Sequence, residues 1–511
     1  MKRRRFLTGC AACAGAAGIA KTPAWLGAAQ SGSASGKGAG KVKIRVLYAL
    51  HTEKQDRPDW PNVGYDFRPV MDKIDKELAA RLPGFTFTRA LSNGADQTKK
   101  IVADDKDVDG YLVYQMNCWN QVAQTAATTG KPVLYADHQY AGSGGFLVYS
   151  AGFLRSGARN VGFVASERIE DLVDAVRCFE QAKAAGTGFD FAAATAAVRR
   201  GRTAGRGDFS VSADSLVPLS AAETVRRMKA SKILAFRGAD AAPASTMMEI
   251  PVQPVVFGEL NAAWAAADKD KARAVADRWI KNAAVVEGVS RAEIENSAAM
   301  YLAEKAMLEK YGANAITINC LGGFYSGQIH AYPCLGFFEL LNEGLVGACE
   351  CDVRSTATMV ALTGMSGGRP GYISDPVMET SKRRIIYAHC VASNKVFGPK
   401  GPANPYQILT HSEDRQGASV RSIPPAGYMT TTAEILPDAR EILLHTAKAV
   451  GNDPDDRACR TKLVAEPVGD FEKLFREWDR WGWHRVTYYG DLKKPVYALA
   501  DAIGWKVTEE A

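Results

Sequence analysis

The chain has 511 residues, 23% of them charged and 47% hydrophobic, a composition typical of a folded globular protein. The formal net charge of +7 is misleading, because residues 1–29 carry five basic and no acidic side chains and leave 7 − 5 = +2 for the rest. This balance gives no electrostatic reason to expect a nucleic-acid partner. The length indicates two to four domains.

The amino terminus has the pattern of an export signal. Residues 3–7 (RRRFL) precede a short apolar run of small residues, which fits a twin-arginine signal peptide over residues 1–29. The alternatives are a disordered basic tail or a retained membrane anchor, but the apolar run is short for a bilayer span. We therefore expect a periplasmic protein without a stable membrane anchor, in which a flexible Gly/Ser-rich linker at residues 30–41 follows the signal.

Strand-like runs alternate with helix-like segments after the linker, a pattern typical of parallel βαβ units. The first domain, predicted over residues 42–205, is expected to be a doubly wound α/β sheet. A second α/β domain is predicted over residues 206–345, where two long helical patterns, at residues 262–284 and 291–311, precede a buried strand at residues 314–320. The strand-like runs of the first domain are residues 42–50, 85–91, 110–116, 132–137 and 160–165, and the helix-like segments between or after them include residues 68–81 and 168–185.

The texture of the chain changes from about residue 395 onward, where Gly, Pro and Thr are frequent and helical patterns are scarce. Short strands separated by turn residues favour a β-rich, barrel-like domain. We expect this C-terminal domain over residues 346–511, with an amphipathic helix at residues 494–503. The predicted fold is therefore α/β, with two doubly wound (Rossmann/flavodoxin-like) domains followed by a β-rich, barrel-like C-terminal domain.

Acidic residues cluster around an apolar, strand-like run at residues 345–349. Glu350 and Asp352 follow this run, and Glu339 precedes it. Ligands bind at the carboxyl ends of strands in open α/β folds, and residues 350 and 352 point to the same side if the strand continues. The alternative is structural: Glu339 on a solvated helix face, with Glu350 and Asp352 at a strand end.

The eight cysteines beyond the signal show no small-domain disulfide framework, and we expect buried thiols. A zinc site could be drawn from cysteines near one histidine, but its spacing matches no standard structural pattern. The residues concerned are Cys349, Cys351, His389 and Cys390.

Several short strings in fixed order resemble the L-fucose isomerase family and, more distantly, L-arabinose isomerase. This resemblance covers most of the chain from about residue 230. The strings are Pro333 with Glu339-Leu340-Leu341-Asn342, Ala348-Cys349-Glu350-Cys351-Asp352, Leu362-Thr363-Gly364, Asp375-Pro376, His389-Cys390, Cys459-Arg460-Thr461 and His484 with Gly490-Asp491.

The resemblance implies a divalent metal, usually Mn²⁺ and otherwise a cation such as Mg²⁺ or Co²⁺. By position its ligands would be Glu339, Asp352 and His484, with Glu339 and Asp352 also acting as catalytic acid and base. Glu350 and His389 would bind the substrate or support the ligands. It also implies a homo-oligomer, a hexamer or a trimer.

The implied reaction is aldose–ketose isomerisation of a free sugar such as L-fucose or L-arabinose through an enediol. Two carboxylates beside a cation suit this chemistry, because one proton moves between two neighbouring carbons. The loop at residues 320–325 departs from the family and leaves the substrate open. The second hypothesis is a non-catalytic exported carbohydrate-binding protein. The third is a metal-dependent lyase or epimerase.

Overall fold

The computed structural model describes residues 40–240 and 242–511. The predicted signal peptide and all but the last two residues of the predicted linker lie outside these residues. Residues 41–511 group into one unit, and no helix among the described residues is long and apolar enough to cross a membrane.

The first sheet has five parallel strands in the order β2-β1-β3-β4-β5, a doubly wound topology that confirms the predicted class. Strands β3, β4 and β5 are buried on both faces and β1 over most of its length, as parallel sheets covered by helices require, whereas the edge strand β2 is partly exposed. Strands: β1 (Val42–Ala49), β2 (Phe85–Ser92), β3 (Gly110–Gln115), β4 (Val133–Asp137) and β5 (Val161–Val164). Helices: α1 (Arg68–Arg81), α2 (Ala95–Asp104), α3 (Val122–Ala127), α4 (Ser143–Ser156), α5 (Ile169–Val176), α6 (Cys178–Ala185) and α7 (Phe191–Arg202).

The second sheet has the order β11-β10-β6-β8-β7, in which β7 alone is antiparallel to its neighbour. The helical pattern at residues 262–284 forms two helices, because Asp268 caps a new helix with its side chain. Strands: β6 (Ile233–Phe236), β7 (Ser245–Met247), β8 (Ile250–Val255), β9 (Val285–Val286), β10 (Ala315–Ile318) and β11 (Val346–Ala348). Helices: α8 (Ala221–Ala230), α9 (Phe257–Ala265), α10 (Lys269–Asn282), α11 (Arg291–Tyr311), α12 (Cys320–Tyr325) and α13 (Cys334–Asn342).

The C-terminal region is a closed antiparallel barrel of six strands in the order β16-β19-β12-β13-β18-β17, and pairing of β16 with β17 closes the ring. Closure leaves no free sheet edge in the ring. Strands: β12 (Gly371–Glu379), β13 (Arg384–His389), β14 (Tyr406–Leu409), β15 (Ser419–Ser422), β16 (Met429–Leu436), β17 (Glu441–Asn452), β18 (Thr461–Pro467), β19 (Arg485–Tyr489) and β20 (Lys506–Glu509). Helices: α14 (Val353–Met365), α15 (Phe471–Glu477) and α16 (Lys493–Ala502).

Two smaller pairings tie the regions together. Strand β20 runs parallel to β17 and pairs with its first four residues, 441–444. Strand β9 pairs with β14 in a small sheet with β15, so a segment from the second α/β region is hydrogen-bonded to the barrel region. The predicted domain boundary at residue 345 lies one residue before β11, which pairs with β10 in the second sheet.

Candidate metal centre and neighbouring carboxylates

Strand register in the barrel brings three polar residues to one point. The pairing Ser374↔Arg485 places Asp375 beside His484, and the pairing Asp375↔Ala388 places it beside His389. These residues are far apart in sequence, so the contacts follow from the register and not from any local spacing. One end of the barrel therefore presents two imidazoles and a carboxylate to the second α/β region.

Glu350 completes a group that could hold a metal ion. One ligand atom from each of Glu350, His389 and His484 lies within 4.8 Å of the others. The Glu350 carboxylate is 3.8 Å from His389 Nε2 through one oxygen and 3.9 Å from His484 Nε2 through the other. The two imidazole rings are edge-to-face, with centroids 5.4 Å apart. Two imidazoles and a carboxylate form a donor set compatible with a divalent metal.

A strained turn directs Glu350 toward this point. Strand β11 ends at Ala348, so the strand does not continue through residues 350 and 352 and they do not share a strand face. Glu350 and Cys351 have φ of 62° and 52°, a left-handed conformation that non-glycine residues rarely adopt. The amide of Cys351 donates to the carbonyl of Ile318 at 2.9 Å and fixes the turn against the end of β10. Such strain is often found at functional sites.

Asp352 caps the helix that follows the turn. Its Oδ1 accepts the amide of Ser355 at 3.0 Å, and its Oδ2 accepts the Ser355 hydroxyl at 2.9 Å. A carboxylate is favoured here because it accepts a free amide of α14 and faces the positive end of the helix dipole. The cap holds the carboxylate in place for its contact with His484.

His484 is oriented by this carboxylate. Its Nδ1 lies 3.0 Å from Asp352 Oδ2, and its Nε2 accepts the indole N–H of Trp483 at 2.8 Å. In the neutral ring this geometry places the proton on Nδ1 and the lone pair on Nε2. Metal-binding histidines commonly have such a partner on the second nitrogen. Asp352 thus contacts the Nδ1 side of the His484 ring, whereas Glu350 faces the Nε2 side.

Burial disfavours the charged form of His484. The hydrogen bond to Asp352 has a larger effect together with the negative charges of Asp375, Glu350 and Asp352, and the pKa of His484 is raised to about 9. Burial opposes ionisation of Asp352 as well, yet the hydrogen bond and charge of His484 hold the pKa of this carboxyl well below its usual range. Three acidic groups around one imidazole thus favour a cation at this position, either a proton or a metal.

His389 is the second imidazole and is 2% exposed. Its Nε2 is buried and has no hydrogen-bond partner among the described residues. Burial lowers its pKa, and the charge of His484 lowers it further, so the ring is neutral at physiological pH. A buried imidazole nitrogen without a partner, 3.8 Å from a carboxylate oxygen, is the feature that fits a bound cation best.

Asp375 lies beside the group and was not among the predicted site residues. Its Oδ1 is 3.6 Å from His484 Nε2, and no hydrogen bond from another described side chain holds its carboxylate. Burial raises its pKa to about 7, although the charge of His484 lowers it and that of Glu350 raises it. A carboxylate that titrates near neutrality beside a candidate metal site is suited to proton transfer. Its motif, Asp375-Pro376, carried no sign of this role, which depends on the β12–β19 register.

Glu339 is held elsewhere. It lies in α13, where its Oε1 accepts Arg278 Nη1 at 2.6 Å and its Oε2 accepts the indole N–H of Trp279 at 2.8 Å. Both oxygens are thus occupied by donors from α10, and Glu339 is not in the group formed by Glu350, His389 and His484. Among the predicted site residues, the structure brings together Glu350, Asp352, His389 and His484 and leaves Glu339 outside.

The first α/β region also reaches the site. Gly144, in the first turn of α4, has no side chain, and a Cβ there would lie 3.9 Å from Asp375 Oδ1. Trp119 packs edge-on against Trp483, with ring centroids 5.9 Å apart. The Trp119 ring is 38% exposed, so it forms an accessible apolar wall beside the polar cluster.

No family model matches the chain. The chain is similar to sulfoquinovose isomerases, with 25% identity over 213 residues to that of Clostridium sp. (strain MSTE9) and 26% over 199 residues to that of Priestia aryabhattai. The first alignment covers 40% of this chain and 46% of its relative, and the second covers 38% and 44%. The chain therefore spans less than half the length of the curated relatives that it matches.

Proposed function

We propose that the protein is an aldose–ketose isomerase that acts on a sugar in its open-chain form with the help of a divalent metal. The observation that carries the proposal is the convergence of Glu350, His389 and His484, with the unengaged carboxylate of Asp375 beside them. The similarity to sulfoquinovose isomerases and the strings that resemble L-fucose isomerase support the same class of reaction.

Glu350, His389 and His484 would hold the metal. Two imidazole donors favour Mn²⁺, Co²⁺ or a similar transition metal over Mg²⁺, which prefers oxygen ligands. The chemistry that such an ion supplies when bound is polarisation of the substrate carbonyl, which makes the neighbouring C–H more acidic. Asp352 keeps His484 Nε2 facing the other ligands through its contact with Nδ1.

Asp375 would move the proton. Isomerisation removes a proton from C2 of the aldose and returns one to C1, while a second proton moves from the C2 hydroxyl to the C1 oxygen. One group that accepts and then donates is sufficient for the transfer between the two carbons. Its ionised carboxylate accepts the C2 proton at an oxygen, and the resulting carboxylic acid returns the proton to C1. A pKa of about 7 makes both forms accessible near neutral pH, as this exchange requires.

The substrate is proposed as an aldose, and two kinds of sugar are candidates. The strings resembling L-fucose isomerase point to a deoxy sugar or a pentose, such as L-fucose or L-arabinose. The names of the aligned relatives point to sulfoquinovose, a glucose analogue with a sulfonate group.

Paired variants test this assignment. Glu350→Gln should remove the bound divalent ion and ketose formation together, as measured by elemental analysis and by NMR of a panel of aldoses. Glu339→Gln, whose carboxylate contacts Arg278 and Trp279, should keep the ion and the activity. The opposite result, with metal lost only from the Glu339 variant, would support the ligand set implied by the family resemblance and overturn the one proposed here. Melting temperatures identify any variant that fails to fold.

A further inference from the structure

Arg354 has a guanidinium group without a partner in a half-buried position. It makes no side-chain hydrogen bond or ion pair with any described residue, and its Nε is buried and unpartnered. Desolvating a charged group without a partner is unfavourable, so its presence here calls for a reason. Five other arginines of the described chain also lack side-chain partners, and all are exposed to water: Arg168, Arg200, Arg237, Arg440 and Arg476.

Its location places this charge next to the candidate metal centre. Arg354 is the second residue of α14, directly after the turn that carries Glu350 and Asp352. Its guanidinium lies over Gly482, where a Cβ would collide with one terminal nitrogen and lie 3.3 Å from Cζ. Gly482 is two residues before His484 and has φ of 83°, a conformation that suits glycine.

The neighbouring charges do not hold Arg354 in an ion pair. Its charge favours the ionised forms of Asp352 and Glu434, although burial raises the pKa of Glu434. The Asp352 oxygens accept from the Ser355 amide and from His484, Glu434 Oε1 accepts from Thr358, and the Ser355 hydroxyl lies between the two carboxylates. The terminal N–H groups of the guanidinium therefore remain available to an acceptor that is not part of the protein.

We infer that Arg354 forms an oxyanion subsite that binds an anionic substituent of the sugar, a sulfonate or a phosphate, at the end remote from the carbonyl. This inference rests on the proposed function. A guanidinium presents paired N–H donors that match the oxygens of such groups. The amides at the start of α14 add positive potential at the same place. Trp483 directly follows Gly482 and packs edge-on against Trp119, and the two rings offer an apolar surface to the sugar ring.

The experiment compares two sugars that differ in one group. Sulfoquinovose and quinovose have the same ring, but a hydrogen replaces the sulfonate in quinovose. Wild-type protein should convert sulfoquinovose with the higher kcat/KM, and Arg354→Gln should reduce the ratio of the two kcat/KM values by about 10- to 100-fold, as expected for loss of a charge-assisted hydrogen bond. Arg354→Lys should restore part of the ratio, and Arg237→Gln, which removes an exposed arginine without a partner, should leave it as in wild type.

Equal losses for both sugars in Arg354→Gln would overturn the inference, because Arg354 would then only balance the charge of Asp352 and Glu434. Equal kcat/KM values of the wild-type protein for quinovose and sulfoquinovose would also overturn the inference, but they would leave the proposed function intact. If neither sugar is converted, the proposed function fails, and calorimetry with the corresponding alditols decides on the subsite. Binding of the sulfonated alditol that Arg354→Gln abolishes would then support the subsite, and equal binding of both alditols would refute it.

Discussion

Replacing Asp352 by asparagine should change the pH dependence of metal binding more than its strength at neutral pH. Asp352 lies 3.0 Å from His484 Nδ1 and contributes to a His484 pKa of about 9. A metal that binds Nε2 must displace the proton, so two pH units below this pKa only about 1% of the ring is free to bind. At pH 9 about half of the ring is free, so the apparent affinity of the wild type should rise by about 50-fold between pH 7 and pH 9.

The variant has two opposing effects. Loss of the carboxylate that orients the ring should weaken the metal site by about 10- to 100-fold. The pKa of His484 should fall at the same time, which leaves more of the ring neutral at pH 7 and offsets part of that loss. The variant should therefore bind much more weakly than wild type at pH 9, differ little at pH 7, and show a shallower rise between them.

Calorimetric titration of the metal-free protein with Mn²⁺ at several pH values measures this slope. Asp190→Asn is the matched control, because Asp190 also caps a helix, at Ala193, but lies in the first α/β region. It should keep the wild-type slope. An Asp352 variant with the wild-type slope and affinity at every pH would refute the role assigned to this carboxylate.

The remaining predictions concern three buried carboxylates. Asp375→Asn should keep the metal and lose about 10²- to 10⁴-fold in kcat, as expected for a general base. The pKa of Asp375 is raised to about 7, so ionisation of this carboxyl reduces the stability of the wild type as the pH rises from about 4 to about 7. Asparagine does not ionise, and the metal-free variant should therefore have a higher melting temperature than wild type at pH 8 but not at pH 4. Glu304→Met should stabilise the protein by about 1–3 kcal/mol in urea unfolding at pH 8, because both Glu304 oxygens are buried without partners; a loss of stability would contradict this. Glu510→Gln should cost about 3–5 kcal/mol in the same assay, because Glu510 pairs with the fully buried Arg485 and His445; an unchanged unfolding midpoint would argue against that pairing.

The fold class was accessible from sequence because strand and helix patterns alternate clearly before residue 350 and short strands follow later. Residues 168–185 were expected as one helix, but the structure has two, α5 and α6, with Arg177 between them. Such short breaks depend on packing as much as on local propensity. The closure of the barrel through β16 and β17 is a long-range pairing that no local pattern encodes.

The candidate site was accessible only in part. Glu350, Asp352, His389 and His484 were recognised from strings that resemble a family, but their arrangement depends on a left-handed turn and on barrel register. Glu350 was predicted as a substrate contact. The turn instead places its carboxylate on the Nε2 side of His484, whereas Asp352 lies on the Nδ1 side. Asp375 was missed because only the β12–β19 pairing places it beside His484, and Glu339 lies apart because α10 supplies donors to both of its oxygens.

Proton NMR of the wild-type protein with sulfoquinovose, L-fucose or L-arabinose in D₂O, with Mn²⁺ and with a chelator, tests the central claim most directly. The proposed reaction predicts a ketose that is formed with the metal and lost on chelation. The ketose carries deuterium at C1 to the extent that the protonated Asp375 carboxyl exchanges with solvent before it returns the proton. Aldoses that remain unchanged and undeuterated in the presence of Mn²⁺, or conversion that is indifferent to the chelator, would contradict metal-dependent isomerisation.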